Sequence, residues 1–389
     1  MIMRTETRRV YCGGVPIGGG APIPIQSMTN TFTEDIPATT AQIRELAAAG
    51  VDIVRCAVPS LKAALALVEI RKQLEGSGVF VPLVADVHFD YRIALAAVKA
   101  GVDKLRINPG NIGKADRVKA VVDAAGAAGI PIRIGVNSGS LEEDLQELYK
   151  SRPAEALAES ALRNISLVLG MGFEDLVVSV KSSDVIVNTE AHKLLAAGTN
   201  LPLHIGITEA GFGRAAIVKS ASGIGALLAS GLGDTVRVSL TGNPVQEVAA
   251  ARDILRSVNL LPGQISLVSC PTCGRCRVGL EAVCKDASKA LDKAERSRIA
   301  AARKLRRQGP AEGESAEAFL SRLEAVERPL TVAIMGCAVN GPGEASNADL
   351  GVACGVYGGL YFEKGRQGDM IPLEKIAQTL YNAVMPLCG

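Results

Sequence analysis

A chain of 389 residues, 48% hydrophobic and 21% charged, has room for two domains with sizeable cores and excludes wholesale disorder. Its formal charge of +2 is too close to neutral to suggest a dedicated nucleic-acid binder. No apolar run reaches the length of a membrane span, and the opening MIMRTETRRVYCGG lacks the apolar core of a signal peptide, so a cytoplasmic protein with no nucleic-acid and no membrane partner is expected.

From residue 22 onward the sequence keeps a beat. A short β-branched run follows a Gly or Pro, and an Ala/Leu-rich helical stretch leads to the next run. The runs are PIPIQSM (22–28), VDIVRCAV (51–58), VPLVADV (81–87), DKLRINP (103–109), PIRIGVN (131–137), DLVVSV (175–180), LPLHIGI (201–207) and DTVRVSL (234–240). Between them, stretches such as LKAALALVEIRKQLEG read as helices, with Gly50, Gly101, Gly129 and Gly198 placed as C-caps. Eight such units predict an α/β fold, a (β/α)8 TIM barrel over 1–262, in preference to an open doubly wound sheet. The scarcity of aromatics, 3%, agrees with parallel α/β packing.

In this fold chemistry sits where strands end. Arg55, Arg106, Arg133, Lys181 and Arg237 all fall at or near strand C-termini. Long cations are costly to bury alone, so they need partners. Structural pairing with Asp52, Asp86, Asp103 and Glu209 is one reading. A multiply charged anion, most simply a diphosphate, is the other, and it is favoured because bases outnumber acids at this end. TEAGFGRAAIVKS and SLTGNPVQE follow the seventh and eighth strands, where such barrels cradle phosphate. Asp86, His88, Asn108, Asn137, Ser179, His204, Thr208 and Ser239 add polar groups at the same end. For either histidine a structural role stands beside the catalytic one. Glu209 is the candidate for proton transfer to a leaving oxygen.

After LLPGQ the composition shifts, and 263–389 is expected to be a smaller α+β domain. All nine cysteines except Cys12 and Cys56 lie beyond residue 269. An odd count in a reducing compartment reads as buried thiols or metal ligands. SCPTCGRC (269–276) lacks the fourth cysteine of a ferredoxin run, since position 280 is Leu280. There is no second CxxC for a zinc ribbon, and no thioredoxin-like context for disulfide chemistry. A [4Fe–4S] cluster on Cys270, Cys273 and a distant thiolate remains, with Cys337 after the strand LTVAIM as the best distant candidate. The charged stretch 285–327, broken at RRQGPAEGE, reads as two solvated helices inserted on the surface. LGVACGV and GGLYFEKG read as strands and LEKIAQTLYNAV as a helix.

SCPTCGR together with MGCAVNGPGEA resembles the paired signature of the GcpE family of 4-hydroxy-3-methylbut-2-enyl diphosphate synthases. PIQSMTNT, ADVHFDYRIAL, KLRINPGN, IRIGVNSGSL, HIGITEAG and VRVSLTG resemble the same family in the same order, so the likeness covers nearly the whole chain. The resemblance implies reductive opening of a cyclic diphosphate in isoprenoid biosynthesis, with flavodoxin or ferredoxin as electron donor. It implies cluster ligands Cys270, Cys273, Cys337 and the carboxylate Glu344, which also has a catalytic part. Substrate contacts would come from the five cations with Asn137 and Ser239, and Glu209 would be the acid. It further implies a second domain like a sulfite/nitrite-reductase module, and a homodimer whose cluster closes over the partner's barrel. Cys276 departs from the family pattern and is favoured as a bystander thiol rather than a ligand. Two rival readings stand beside this one: a metal-independent phosphate-handling barrel with structural zinc, and a binding role for the 285–327 helices.

Overall fold

The computed structural model describes residues 2–337 and 347–385, and the chain divides into two compact units, Met1–Val258 and Asn259–Gly389. The first opens with an antiparallel hairpin, β1 (Val10–Cys12) and β2 (Val15–Ile17), which is not among the expected strands. Its inward residues Val10, Cys12 and Ile17 pack on Ile53, Val84 and Val177, near the starts of three barrel strands. The hairpin thus covers the N-terminal end of the barrel with apolar side chains.

Six parallel strands follow in one sheet: β3 (Gln26–Met28), β4 (Ile53–Ala57), β5 (Leu83–Asp86), β6 (Lys104–Ile107), β7 (Ile132–Asn137) and β8 (Leu176–Lys181). A short parallel pair, β9 (His204–Ile205) and β10 (Thr235–Val236), completes the set. Single bridges, Val178 to Leu203 and Ile25 to Val236, join this pair to β8 and β3 and close the ring of eight. The strands are buried on both faces, which explains why they read as continuous apolar runs rather than alternating ones.

Glycine ends the helices Ile36–Ala49 and Ala115–Ala128, where Gly50 and Gly129 adopt φ of 92° and 64°. Gly198 differs. It is the last residue of the helix Val185–Gly198, and a Cβ there would come within 2.9 Å of Leu162. Close packing between helices, not a cap, accounts for that glycine.

The second unit is a five-stranded mixed sheet in the order β11 (Ile265–Ser269), β12 (Leu330–Met335), β13 (Leu350–Gly355), β14 (Gly358–Glu363) and β15 (Arg366–Ile371). The first three run parallel and the last two return antiparallel. β15, which is not among the expected strands, is an exposed edge strand. The charged stretch is not solvated throughout. In the helix Leu280–Gln308 the stripe Leu280, Ala287, Leu291 and Ala294 is buried against Val332, Ile334, Ile376 and Leu380. Only the shorter helix Ala316–Glu327 keeps the solvated character that charge predicts. Among the described residues no helix is long and apolar enough to cross a membrane.

Two charges of the long helix point inward. Glu295 accepts from Ile265 N at 3.0 Å. Arg298, fully buried, donates to the carbonyls of Gly263, Val326 and Arg328 at 3.2, 2.9 and 2.8 Å. Arg298→Ala removes the donor from three carbonyls and is expected to cost about 3 kcal/mol of stability, read as a lower denaturant midpoint for the whole chain.

Candidate active site

At the C-terminal end of the barrel strands lies a cleft of about 160 Å³. It is lined by Arg55, Asp86, His88, Arg106, Arg133, Val136, Asn137, Ser179, Lys181, Thr208, Arg237 and Ser239. The parallel register stacks these groups in two tiers: Asp86, Arg106 and Arg133 are successive partners across β5, β6 and β7, and Asn137 and Lys181, the last residues of β7 and β8, are partners four residues further on. All five cations expected from the sequence meet here, and Arg133 is only 1% exposed.

Few acids balance them. Asp86 lies 3.6 Å from Arg55 Nε, 3.2 Å from Arg106 Nη1 and 3.5 Å from His88 Nε2. Burial alone would raise its carboxyl, but Arg55, the His88 hydrogen bond and Arg106 outweigh burial and hold it well below the usual carboxylate range. Arg55 also directs Nε and Nη2 at the thioether of Met28, at 3.0 and 2.8 Å, and burial pushes its guanidinium down to about 10. Arg237 reaches Glu247 at 3.3 Å. Arg133 has no partner for Nε or Nη1, and burial with Arg55 and Arg106 nearby depresses it strongly. Lys181 is depressed in the same way, first by burial and then by Arg133 and Arg237. Five cations against Asp86 and Glu247 leave a formal excess of three positive charges.

Three expected residues do not line the cleft. Asn108 is 2% exposed and caps its own turn, accepting from Gly110 N at 3.1 Å. His204 is fully buried with no partner at either ring nitrogen, and burial followed by Arg133 and Lys181 drives its pKa far below 6.5, which keeps it neutral. Glu209 is exposed on the loop after β9 and has φ of 51° in the left-handed region, a conformation non-glycine residues adopt at some cost.

Two residues escape the sequence reading. Glu247 sits on the helix Val245–Ser257 beyond the eighth loop, is 4% exposed, and also accepts from Ser27 Oγ at 2.8 Å and Leu240 N at 3.1 Å. No spacing rule links it to Arg237. Lys104 was within reach: it stands two residues before Arg106 on β6, and period-two alternation puts both on the inner face. It is fully buried with Nζ unpartnered, and burial lowers it to about 8.

The thiols belong to the second unit. Cys270 follows β11 and Cys337 follows β12, and these strands pair in parallel with Ser269 opposite Ile334. Gly336 N donates to Cys270 Sγ at 3.2 Å, and a Cβ on Gly336 would come 2.8 Å from Cys276 Sγ. Cys270 and Cys276 therefore flank the residue just before Cys337. Cys273 is exposed, and hydrogen bonds from Arg275 lower its pKa toward the thiolate that binds metal. Soft sulfur donors from adjacent strand ends suit an iron–sulfur centre. Among the described residues no three His, Cys, Asp or Glu converge on one ion position, and Glu344 lies outside the described residues.

Residues 7–252 match the GcpE TIM-barrel domain and residues 306–385 match the GcpE protein C-terminal domain. The chain is 48% identical over 380 residues to the 4-hydroxy-3-methylbut-2-en-1-yl diphosphate synthase (flavodoxin) of Haemophilus influenzae, covering 97% of this chain and 93% of that one. It is 44% identical over 382 residues to the enzyme of the same name from Caldanaerobacter subterraneus subsp. tengcongensis, covering 98% and 97%. The Geobacter sulfurreducens enzyme of that name is 45% identical over 378 residues, covering 97% of each chain.

Gly135 makes room for the Arg106 side chain. A Cβ there would lie 2.7 Å from Nε and 2.9 Å from Nη2, and Gly135 O accepts from Nη2 at 3.3 Å. In Gly135→Ala the flexible guanidinium yields rather than the strand. The expected result is an unchanged melting temperature with binding of inorganic pyrophosphate weakened about tenfold, measured by calorimetry.

Proposed function

The chain belongs to the GcpE family, and from that premise we propose that its cationic cleft holds 2-C-methyl-D-erythritol 2,4-cyclodiphosphate for reductive opening to 4-hydroxy-3-methylbut-2-enyl diphosphate, a step of isoprenoid precursor synthesis. The observation that carries this reading is the excess of cations over carboxylates at one end of the barrel. The reaction adds two electrons and one proton to a cyclic dianion, breaks the ring C–O bond to phosphate, and releases water from a linear trianion. A diphosphate is therefore present at every stage.

Arg55, Arg106, Arg133, Lys181 and Arg237 grip the diphosphate, with the guanidinium forks matching its oxygens. Asn137, Ser179, Thr208 and Ser239 orient the carbon skeleton by hydrogen bonds. Asp86 fixes Arg55 and Arg106 beside His88, and so sets the geometry of the grip. His204, neutral and buried, supports the floor, and Asn108 shapes the turn after β6. Glu209 supplies the proton to the departing oxygen, and its left-handed backbone is the local strain expected of a residue kept for function.

Cys270, Cys273, Cys337 and Glu344 would hold a [4Fe–4S] cluster, which supplies electrons singly when bound. Glu344, a harder donor than thiolate, would hold its iron less tightly than the three cysteines hold theirs. Flavodoxin is the donor that the relatives' names support, a homodimer is the assembly the family resemblance supports, and the cytoplasm is the expected location.

Anaerobic enzyme given the cyclic diphosphate and a strong one-electron reductant is expected to form the linear allylic diphosphate. Equimolar zinc with no product would sink the reading. Glu209→Gln should bind substrate with the cluster intact yet turn over about 100-fold more slowly. Iron analysis separates the thiols: Cys273→Ser should lose iron, whereas Cys276→Ser should keep it in full.

A further inference from the structure

Lys181 ends β8 at the cleft, and its Nζ lies 3.2 Å from where a Cβ on Gly206 would stand, against the loop after β9. Arg133 of β7, Arg55 of β4, Arg106 of β6 and Arg237 after β10 surround it. His204 of β9 and His192 of the helix Val185–Gly198 stand behind it, and both are kept neutral by burial. The two carboxylates of the site are committed elsewhere, Asp86 to Arg55 and Arg106 and Glu247 to Arg237. Among the described residues no carboxylate forms an ion pair with Lys181.

The charges can be counted. Four guanidiniums less two carboxylates give +2 around the lysine. A guanidinium does not surrender its proton at ordinary pH, so of the five cations only Lys181 can adjust. A cyclic diphosphate brings two negative charges and cancels the +2, which removes the repulsion on the lysine. Ring opening then creates a third negative charge on the phosphate oxygen released from carbon.

We propose that Lys181 is the proton-linked residue of the cleft: uncharged in the free site, it takes up one proton when the diphosphate enters, and that charge balances the one created by ring opening. The proposal rests on the functional reading above and adds a protonation step to binding. Burial and the four arginines depress Lys181 well below its ordinary value in the free site, and a bound dianion raises it again. Between the two values binding consumes a proton. Affinity is then greatest below the free value and falls as pH rises through the window, by up to about tenfold per pH unit.

The experiment is calorimetry of the oxidised holoenzyme without reductant, titrated with cyclodiphosphate in buffers of different ionisation enthalpy from about pH 7 to about pH 9. Neither this ligand nor sulfate, the second probe, titrates there, so any proton belongs to the protein. Uptake approaching one proton, with affinity falling as pH rises, is expected. Lys181→Arg, permanently charged, should bind with no uptake and a flat pH profile. Lys181→Gln should bind more weakly, also without uptake, and circular dichroism checks both folds. No uptake in the wild type, or uptake unchanged in both variants, overturns the proposal, the latter moving the proton to Lys104 or His204. Linked uptake with sulfate but no binding of cyclodiphosphate would sink the substrate reading and leave Lys181 standing. Turnover of cyclodiphosphate without linked uptake would sink Lys181 alone.

Discussion

The concentration of positive charge at one end of the barrel is the constraint on which the rest of the first unit depends. Five long cations share a cleft with Asp86, and Glu247 reaches Arg237 from the helix Val245–Ser257. Isolated charges in such a place cost several kcal/mol each, so every neutralising contact matters. Asp86 therefore serves Arg55 and Arg106 at once, and Glu247 is shared among Arg237, Ser27 and Leu240. The opposite end of the ring is built the other way, with a hairpin of apolar residues laid over it. Packing at the hairpin end offsets the electrostatic cost at the cleft, the usual division between the stabilising and the working face of this fold.

Much of this was legible in the sequence. The eight runs map onto eight strands because parallel strands covered on both faces are dominated by β-branched and other apolar residues. The five cations converge because strand ends converge. What escaped depended on distance through space. Glu247 lies on a helix after the last loop, and nothing in its spacing announces Arg237. His204 and Asn108 were legible as polar residues at strand ends but not in their orientation, one beneath the cleft and the other turned to its own backbone. Gly198 looked like a cap because packing glycines and capping glycines are indistinguishable without the neighbouring helix.

The second unit shows a different limit. CxxC spacing and the strand before Cys337 pointed to thiols as ligands, but the parallel register of β11 and β12, which brings Cys270 to Gly336, is set by pairing across more than sixty residues. The long helix misled for a physical reason. Its apolar stripe is thin and rich in alanine, and two of its charges satisfy buried backbone groups rather than water. Composition registers the charge, not the carbonyls that receive it.

The ring is also not equally strong all round. From β3 to β8 it is held by continuous ladders, whereas the two-residue pair β9–β10 is joined on each side through a single bridge. Local opening is cheapest where fewest hydrogen bonds must break. The softest staves of the barrel are then those that carry Thr208, Glu209, Arg237 and Ser239, while the stiff arc from β4 to β8 carries Arg55, Arg106, Arg133 and Lys181. An anion entering this mouth would meet a rigid anvil on one side and a compliant jaw on the other, a mechanical asymmetry that arises from strand length alone.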